Sequence, residues 1–394
     1  MSEVESAKLF DIGEIITGKT PSKNNPEDWG NEMPFVTPSD YGNYRKRAKQ
    51  ASRNLSQFGI ETLKKKILPP DSLLVTCIGS DMGKVVMNGI PVTTNQQINS
   101  IIPNERVDND FLYYALVDMY DVLRVYGGDG TAVPIINKTD FGNLEISLPP
   151  LSEQKAIASV LSCLDDKIDL LHRQNKTLEA MAETLFRQWF VVEADDSWEV
   201  VKLQDVAKRI TDGAHASPPS VEIGLPMASV KDMHNWGIDI NSCRKISEFD
   251  FEKLVKDDCR PLKDDILIAK DGSYLKHIFY AIEDLDIVIL SSIAIVRPNG
   301  KYHPTLLTLL LKQQTTLNEL ENIVTGAVIP RIVLKDFRIF PILLPPYKKQ
   351  LKALEIIQPL MDKCYINKNQ ITLLEHQRDT LLPKLMSGEV RVEI

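Results

Sequence analysis

A phrase that occurs twice in this chain restricts its possible folds more than any other feature. Leu-Pro-Pro at residues 148–150 opens a long helical pattern, and Leu-Pro-Pro at 344–346 opens a second one 196 residues later. The same shift maps Asp140 onto Asp336, outside the helices. Chance similarity between two helices would not extend beyond them, so the sequence predicts a tandem duplication with a period of about half the chain.

Each phrase is followed by a helix whose apolar residues recur at alternating steps of four and three, the spacing of a coiled-coil seam. In the first helix this seam runs through Ile157, Leu161, Leu164, Ile168, Leu171, Asn175, Leu178, Ala182, Leu185 and Trp189. In the second helix it runs through Ala353, Ile357, Leu360, Cys364, Asn367, Ile371, Leu374, Arg378, Leu381 and Leu385. Because a stripe this narrow cannot bury itself, the two helices are predicted to pair as an antiparallel coiled coil. Ser152 is the expected N-cap of the first helix, and Pro359 is expected to kink the second helix or to split off a short segment.

One asparagine lies on each seam, Asn175 in the first helix and Asn367 in the second. A buried polar side chain is costly unless its partner is polar, and such a pair can fix the register of a coiled coil. We therefore expect these two residues to face each other. The same register sets Leu164 opposite Arg378, whose aliphatic stem can cover the leucine while its charged end reaches water.

The segments between the helices are predicted to be two similar globular domains of mixed α/β (α+β) structure. The predicted boundaries are 1–147 for the first domain, 148–192 for the first helix, 193–343 for the second domain, and 344–394 for the second helix and tail. Strand-like runs in the first domain, such as 73–78 and 98–102, have counterparts in the second at an offset of 193 to 196 residues. The framework matches while the polar loops differ, which indicates one scaffold with two sets of loops.

The composition is that of an ordinary globular protein, with 43% hydrophobic and 25% charged residues. Its cysteines are scattered and form no C-x-x-C pair: Cys77, Cys163, Cys243, Cys259 and Cys364. This pattern favours a reducing compartment and argues against a zinc site. The N-terminus lacks the features of a signal peptide, and the longest apolar run, 287–296, is too short to span a membrane. We expect a cytoplasmic protein.

The formal net charge of −8 taken alone points away from nucleic acid. An acidic total can still hide a basic face, because affinity follows the charges that meet phosphate. Arg45, Lys46, Arg47 and Lys49 form the one dense basic cluster, with Tyr41 before it. The cluster is either a solvated loop or a phosphate contact, and we favour phosphate contact because aromatics are interleaved with it.

No motif in the chain indicates catalysis. G-x-x-x-x-G-K-[ST], G-x-G-x-x-G after a strand, H-E-x-x-H and G-x-S-x-G are all missing from the sequence. The phrase at 344–347 resembles the loop of an amino-methyltransferase, but Leu344 cannot accept a hydrogen bond from a target amine. The carboxylate pairs at 165–166, expected on the solvated side of the helix, and at 264–265, before a strand, are interpreted as structural. His215 lies in a turn-rich loop, as a surface or base-contacting residue.

Three segments carry a resemblance to a known family. They are the doubled Leu-Pro-Pro phrase, the end of the first helix (Thr-Leu-Phe-Arg-Gln-Trp-Phe, 184–190) and the C-terminal Leu-Pro-Lys-Leu-Met-Ser-Gly-Glu-Val (382–390). Together they resemble the DNA-specificity subunit of type I restriction–modification systems, over the whole chain. One departure is Tyr-Lys-Lys-Gln at 347–350, where the first copy has Leu-Ser-Glu-Gln.

The resemblance implies a non-catalytic DNA-recognition subunit that binds no cofactor and no metal itself. Each globular domain would be a target recognition domain that reads one half of a bipartite, asymmetric site in double-stranded DNA. Two modification subunits would use S-adenosylmethionine to methylate one adenine in each half, and restriction subunits would use ATP and Mg²⁺. The helix pair would dock the modification subunits and set the gap. The first seam rises roughly 38 Å from 157 to 182 at about 1.5 Å per residue, close to a duplex turn of about 34–36 Å.

Two alternatives belong to other functional classes. A coiled-coil scaffold or adaptor that binds only proteins would explain the seam, but it would not explain why two domains share a frame and differ in polar loops. A methyltransferase fused to its recognition domain would need the cofactor and target-base motifs that the chain lacks.

The residues expected to contact DNA in the first domain lie in polar segments: Lys19, Thr20, Ser22, Lys23, Thr37, Ser39, Arg45, Lys46, Arg47, Lys49, Ser80 and Lys84. Those expected in the second domain are Thr211, His215, Ser217, Lys231, Lys270, Ser273, Lys276 and His277. Phe186 and Phe190 lie beside the first seam near its end. They either pack under the second domain or form an exposed apolar patch that binds a modification subunit.

Overall fold

The computed structural model describes residues 5–22, 24–43, 45–128, 134–271, 275–325 and 331–393, which form two compact units. The first unit comprises Met1–Leu171 together with Gln370–Ile394, and the second comprises His172–Asn369. Each unit therefore contains a mixed set of strands and short helices together with a part of both long helices, α6 (Leu151–Arg187) and α11 (Tyr347–Met386).

The first unit is built around a five-stranded sheet in the order β2-β10-β7-β8-β5. Its strands are β1 (Glu5–Lys8), β2 (Gly13–Thr17), β3 (Trp29–Gly30), β4 (Met33–Val36), β5 (Arg47–Ala48), β6 (Asn54–Leu55), β7 (Leu73–Thr76), β8 (Val85–Asn88), β9 (Thr93–Thr94), β10 (Ile98–Pro103) and β11 (Glu145–Leu148). Its short helices are α1 (Leu9–Ile12), α2 (Gln57–Thr62), α3 (Asn109–Asp118), α4 (Tyr120–Gly128) and α5 (Lys138–Gly142).

The second unit is built around a four-stranded sheet in the order β13-β21-β18-β19. Its strands are β12 (Glu199–Lys202), β13 (Ala207–Asp212), β14 (Leu225–Ala228), β15 (Met233–His234), β16 (Gly237–Ile238), β17 (Arg244–Ile246), β18 (Ile266–Ala269), β19 (Ile278–Tyr280), β20 (Val288–Ile289), β21 (Ile293–Pro298), β22 (Val324–Thr325), β23 (Arg331–Ile332) and β24 (Pro341–Leu344). Its short helices are α7 (Glu248–Lys256), α8 (Pro304–Lys312), α9 (Gln314–Glu321) and α10 (Leu334–Arg338).

Strand pairing repeats between the units and confirms the predicted duplication. The antiparallel pair β1–β11 has its counterpart in β12–β24, and the order β2-β10-β7-β8 recurs as β13-β21-β18-β19. The parallel pair β4–β9 recurs as β14–β20. Among the described residues no helix is long and apolar enough to cross a membrane.

A buried glutamine explains why the Leu-Pro-Pro phrase is repeated together with its downstream sequence. Gln154 Oε1 accepts a hydrogen bond from the Asp108 backbone N–H at 2.8 Å, and Nε2 donates to the Pro149 carbonyl at 2.8 Å. Gln350 does the same in the second copy, with His303 N–H at 3.0 Å and the Pro345 carbonyl at 2.9 Å. Because buried backbone groups need partners, each amide fixes the start of a long helix against its own unit.

The two long helices have the register that the sequence predicts. In the second unit Asn367 Nδ2 donates to Asn175 Oδ1 at 2.8 Å, and both side chains are buried. Asn175 Nδ2 donates in turn to the Cys364 carbonyl at 3.0 Å. In the first unit the seam positions Ile168, Leu171, Ile371 and Leu374 form a separate apolar cluster.

Three local expectations about the helices need correction. Helix α6 begins at Leu151, so Ser152 lies in its first turn, and the Pro150 carbonyl accepts the first backbone hydrogen bonds. Helix α11 continues through Pro359 as one element, so Pro359 does not split off a short segment, and Ile357 and Met361 on either side lie in the core of the second unit. Asp165 is not on a solvated face, since its side chain is only 15% exposed.

Candidate nucleic-acid interface

Four strands of the first unit end together at one edge. Backbone N–H groups join these ends: Gly18 donates to Ile98 at 3.1 Å, Lys19 to Thr94 at 2.9 Å, Asn95 to Val36 at 3.3 Å and Cys77 to Gln97 at 2.8 Å. The loops that follow the strands are therefore held side by side although they are distant in sequence. Most residues predicted to contact DNA in this unit lie on these loops or next to them.

The second unit has the same frame at its corresponding edge. Four equivalent N–H groups donate across the strand ends: Gly213 to Ile293 at 3.2 Å, Ala214 to Ile289 at 2.8 Å, Leu290 to Ala228 at 2.9 Å and Lys270 to Ser292 at 2.9 Å. The side chains on this common frame differ at almost every position. Lys19 is replaced by Ala214, Asn95 by Leu290 and Cys77 by Lys270.

Glycine is required at one point of each frame. A Cβ atom on Gly18 would lie 2.1 Å from the Asn95 carbonyl oxygen, and a Cβ on Gly213 would lie 2.1 Å from the Ile289 carbonyl oxygen. No larger residue fits while the backbone segments keep this approach. The two loops look unrelated in sequence, yet they share this constraint.

Lys19 and Ser22 are exposed in the first unit, and Thr20 Oγ1 donates to Gln96 Oε1 at 2.7 Å. Sequence reasoning missed the three amides at 95–97, which directly follow β9. Asn95 Nδ2 donates to Gln97 Oε1 at 2.8 Å, so these side chains are ordered at the same edge. A run of three amides directly after a strand was the pattern that could have identified them, because amides both donate and accept hydrogen bonds.

A buried aspartate organises the loop after β4. The Asp40 carboxylate accepts hydrogen bonds from Thr37 N–H at 2.9 Å, from Thr37 Oγ1 at 2.8 Å and from Ser52 N–H at 2.9 Å. Burial of Asp40 opposes its ionisation, but these bonds outweigh burial and hold the pKa of the carboxyl below its ordinary value. Thr37 Oγ1 also lies 2.8 Å from Ser39 Oγ, so Thr37 is a structural residue and Ser39 is the exposed one.

The second unit repeats this arrangement with different side chains. Asp232 accepts from Ser229 N–H at 2.8 Å, from Ser229 Oγ at 2.9 Å and from Ser242 Oγ at 3.1 Å. Lys231, which follows Ser229 as Ser39 follows Thr37, is exposed. The loop geometry is thus conserved between the units while the solvent-facing residue changes from a hydroxyl to a cation.

Lys270 is not available for the phosphate contact that we predicted. Its side chain is 9% exposed, and its Nζ lies 2.7 Å from Asp212 Oδ2. His215 Nε2 lies 3.3 Å from the other oxygen of Asp212, and the His215 side chain is 79% exposed. Asp212 and His215 border a cleft of about 490 Å³, which Thr211 and Ser217 also line. Of the predicted residues at this cleft, His215 and Ser217 are exposed.

Several other predicted residues lie on turns beside the two edges. Lys84, 50% exposed, pairs with Asp81 at 2.5 Å, and the Ser80 carbonyl accepts from Arg124 at 3.0 Å. Lys276 is exposed, and His277 Nδ1 lies 3.0 Å from Asn235 Oδ1. Burial, aided by the charge of Lys276, lowers the pKa of His277, so its ring is neutral at pH 7. Lys23 and Ser273 lie outside the described residues.

The basic cluster of the first unit faces the protein's own carboxylates, which corrects the phosphate prediction for Lys46. Lys46, with a side chain 14% exposed, lies 2.7 Å from Asp110 Oδ1. Arg47 pairs with Asp71, and Arg45 Nε lies 3.5 Å from Asp169 Oδ1. Local sequence could not reveal these partners, since they come from distant segments. Lys49 alone of the cluster is an exposed cation on the described surface without a carboxylate partner of this kind.

Phe186 and Phe190 are buried, so they do not form the exposed patch that would bind a modification subunit. Their ring centroids are 5.0 Å apart, and Phe190 lies 6.2 Å from Trp198. Both belong to the main core of the second unit. The alternative in which they pack under the second domain is correct.

In the described part of the chain, no group of three or more His, Cys, Asp or Glu side chains could hold a metal ion.

Comparison with known proteins agrees with this geometry. The family model for the type I restriction modification DNA specificity domain matches residues 1–180 and 195–376. The specificity subunit of the type I restriction enzyme MjaIX from Methanocaldococcus jannaschii is 30% identical over 98% of this chain and 93% of its own length. The HindI specificity subunit from Haemophilus influenzae is 40% identical over 37% of this chain and 32% of its own.

A solved structure has the same fold. The crystal structure of the type I restriction–modification S subunit from M. genitalium superposes with a TM-score of 0.59, at 19% identity, over 100% of this chain and 97% of that one. At this identity the likeness concerns the fold alone. The family model, in contrast, covers both halves of the sequence. With its duplicated frame, paired long helices and matching family model, the chain belongs to the type I restriction–modification DNA-specificity family.

Proposed function

We propose that this chain is the DNA-recognition subunit of a type I restriction–modification complex, and that each unit reads one half of a bipartite, asymmetric site. One observation carries the proposal. The two strand-end edges share four equivalent backbone hydrogen bonds and one obligatory glycine, yet they present different side chains. A constant frame with variable polar groups suits the recognition of two different base sequences, because base edges are read by side chains.

The residues proposed to face DNA are the exposed and partly exposed polar ones of these edges. In the first unit they are Lys19, Thr20, Ser22, Ser39, Lys49, Ser80, Lys84, Gln96 and Gln97. In the second unit they are Thr211, His215, Ser217, Lys231, Lys276 and His277. Lysines at these positions would contact phosphate and contribute affinity without sequence preference, whereas the amides and hydroxyls would contact base edges.

The chain supplies recognition and no catalytic group in this proposal. Methylation of one adenine in each half-site would come from two modification subunits that bind S-adenosylmethionine. Cleavage would come from restriction subunits that use ATP and Mg²⁺. The relatives are named as specificity subunits of restriction enzymes, which supports this division of labour.

The test uses the full chain co-expressed with its modification subunit. Selection from a randomised duplex library, followed by gel shift, should recover a motif with two specified halves and an unspecified gap. Mapping of methylated adenines in the expressing cells should return the same motif. A complex that binds all duplexes equally at physiological salt would contradict the proposal and favour a scaffold that binds only proteins.

Exchange of loops tests which unit reads which half of the DNA motif. Replacing residues 19–22 and 37–39 with those of another specificity should change one half of the motif only. Replacing 214–217, as the matched control, should change the other half. If either exchange altered both halves, the assignment of one unit to each half-site would be wrong.

A further inference from the structure

A chain of polar contacts in the first unit links a recognition loop to the first long helix. Lys46, in the loop before β5, directs its ammonium between α3 and α6. Its Nζ lies 2.7 Å from Asp110 Oδ1 and 2.9 Å from Ser162 Oγ, and 4.5 Å above the ring of Tyr114. The ammonium donates hydrogen bonds to Ser162 Oγ and to the Tyr114 hydroxyl at 3.3 Å, and it forms an ion pair with Asp110.

The same chain continues to the second long helix. The Tyr114 hydroxyl donates to Asp165 Oδ2 at 2.7 Å, and Arg378 Nη1 donates to Asp165 Oδ1 at 2.9 Å. Burial, together with the adjacent Asp165 carboxylate, raises the pKa of Tyr114, so the phenol keeps the proton that it donates. Lys46, Tyr114, Asp165 and Arg378, which we call the polar link, therefore connect one recognition loop to both long helices within one unit.

A cleft of about 370 Å³ borders the polar link and is lined by Tyr41, Tyr113, Tyr114, Asp165 and Arg378. Tyr114 is packed in the core of the first unit, whereas the side chains of Asp165 and Arg378 are 15% and 29% exposed beside this open space. At these two residues, directional hydrogen bonds and ion pairs supply the restraint that close packing supplies elsewhere.

The second unit has apolar residues at the positions that correspond to Tyr114, Asp165 and Arg378 of the polar link. The buried glutamines 154 and 350 and the helix-capping residues 108 and 303 fix the correspondence between the units. On that basis Leu309 replaces Tyr114, Met361 replaces Asp165 and Ala182 replaces Arg378. All three replacements are buried in the main core of the second unit. The same fold is thus compatible with apolar side chains at these positions.

A partly buried ionic network is seldom more stable than apolar packing, because desolvation of the charges offsets their attraction. What such a network provides is directionality. A hydrogen bond between Asp and Arg, or between Tyr and Asp, holds the two side chains in one relative orientation, whereas aliphatic contacts allow several. On the basis of the proposed function, we propose that the four residues of the polar link are positioning residues. They hold the first recognition loop and α3 in one orientation on the helices, and so determine how sharply the first half-site is discriminated.

The experiment introduces the apolar residues of the second unit at the corresponding positions of the first. The triple variant Tyr114→Leu/Asp165→Met/Arg378→Ala, in the full complex with its modification subunit, is compared with wild type. The probes are duplexes with the selected motif, and duplexes with one base pair replaced in either half. We expect the unfolding temperature to stay within about 3 °C, while discrimination at the first half falls about tenfold. Discrimination at the second half should be unchanged.

Two further variants separate positioning from folding. Asp165→Met alone leaves the Tyr114 hydroxyl without its acceptor and leaves Arg378 with only Asp379, so it should lower the unfolding temperature. The triple variant should restore the unfolding temperature without restoring discrimination. Asp165→Asn keeps the shape and should give an intermediate loss, about threefold. Lys64→Met/Glu61→Gln, an exposed ion pair of the same unit, is the matched control and should change neither quantity.

Each result decides the proposal. If the triple variant folds and discriminates both halves as wild type does, the polar link is only structural and the proposal is overturned. If the triple variant does not fold, Asp165→Asn decides, and wild-type discrimination by that variant overturns the proposal equally. Lack of any sequence preference in the wild-type complex would instead refute the proposed function, so the two failures are distinguishable.

Discussion

The strand-end edges of the two units differ in how their charged residues are used. In the first unit the edge presents Lys19 and the amide Gln96 to solvent, with Gln97 partly exposed beside them. In the second unit the cation Lys270 is drawn inward by Asp212, and a histidine occupies the rim. The backbone hydrogen bonds beneath are equivalent. The backbone frame and the side chains proposed to read DNA are therefore separable, so side chains can diverge without a change of fold.

The largest test of that equivalence removes the buried glutamines. Gln154→Leu leaves the Asp108 N–H and the Pro149 carbonyl without partners, and Gln350→Leu does the same to His303 and Pro345. Each substitution should destabilise its own unit by about 3–4 kcal/mol, since every orphaned buried group costs about 1–3 kcal/mol. Hydrogen exchange resolved by unit measures the effect. Gln96→Leu, on the exposed rim, is the control, and a large effect in only one unit would break the equivalence.

Glycine substitution should have the next largest effect. Gly18→Ala and Gly213→Ala each place a Cβ 2.1 Å from a backbone carbonyl oxygen, so the strand ends must separate. We expect about 2 kcal/mol of destabilisation in each unit, measured by urea unfolding monitored by hydrogen exchange. Gly42→Ala meets no atom within 4 Å and should be close to neutral. Tolerance of alanine at either frame position would mean that the two edges do not share this constraint.

The buried aspartates should show a smaller, pH-dependent effect. Asp40→Asn removes an ionised acceptor from Thr37 and Ser52 and should cost about 1–2 kcal/mol at pH 7. Because the pKa of Asp40 is lowered in the folded state, its contribution is complete above the unfolded-state pKa. It is lost as pH falls through the folded-state pKa. Urea unfolding of the first unit at pH 7 and below about pH 4 measures this dependence.

The Asp40→Asn variant also serves as the control for the pH dependence. Asp40→Asn should remove most of the acid dependence of the first unit while leaving the second unit unchanged. An acid dependence that persists undiminished in Asp40→Asn would assign the effect to other carboxylates. Asp232→Asn provides the matched substitution in the second unit, and a similar loss at pH 7 there would extend the comparison.

The smallest effect concerns the cysteines, whose modification should not perturb either edge. Cys163 is exposed, whereas Cys77, Cys243, Cys259 and Cys364 are buried. Burial raises the pKa of Cys77 to about 11 and that of Cys364 to about 12, so these thiols remain protonated at pH 8. Iodoacetamide at pH 8 should label Cys163 first, as peptide mass spectrometry would show. Equal labelling of Cys77 would mean that the first core opens readily.

Periodic features of this protein were predictable from sequence, and long-range polar contacts were not. The heptad spacing gave the two helices, and a single asparagine on each seam gave their register, because both signals lie within one element. The partners of Lys46 come from residues 110, 114 and 162, so no local pattern marks them. The basic cluster therefore looked like a phosphate-binding loop. Phe186 was ambiguous for a similar reason, since its burial depends on the domain that follows it.

The first unit combines residues from the beginning and the end of the chain, and this affects how it folds during synthesis. Leu382 and Leu385 from the second long helix belong to the same core as Leu9, Phe111 and Leu161. That core cannot close until the last turns of α11 have left the ribosome. The second unit, His172–Asn369, is contiguous and can close earlier. The unit that is translated first should thus mature last, and during that interval its apolar surface stays exposed and prone to aggregation.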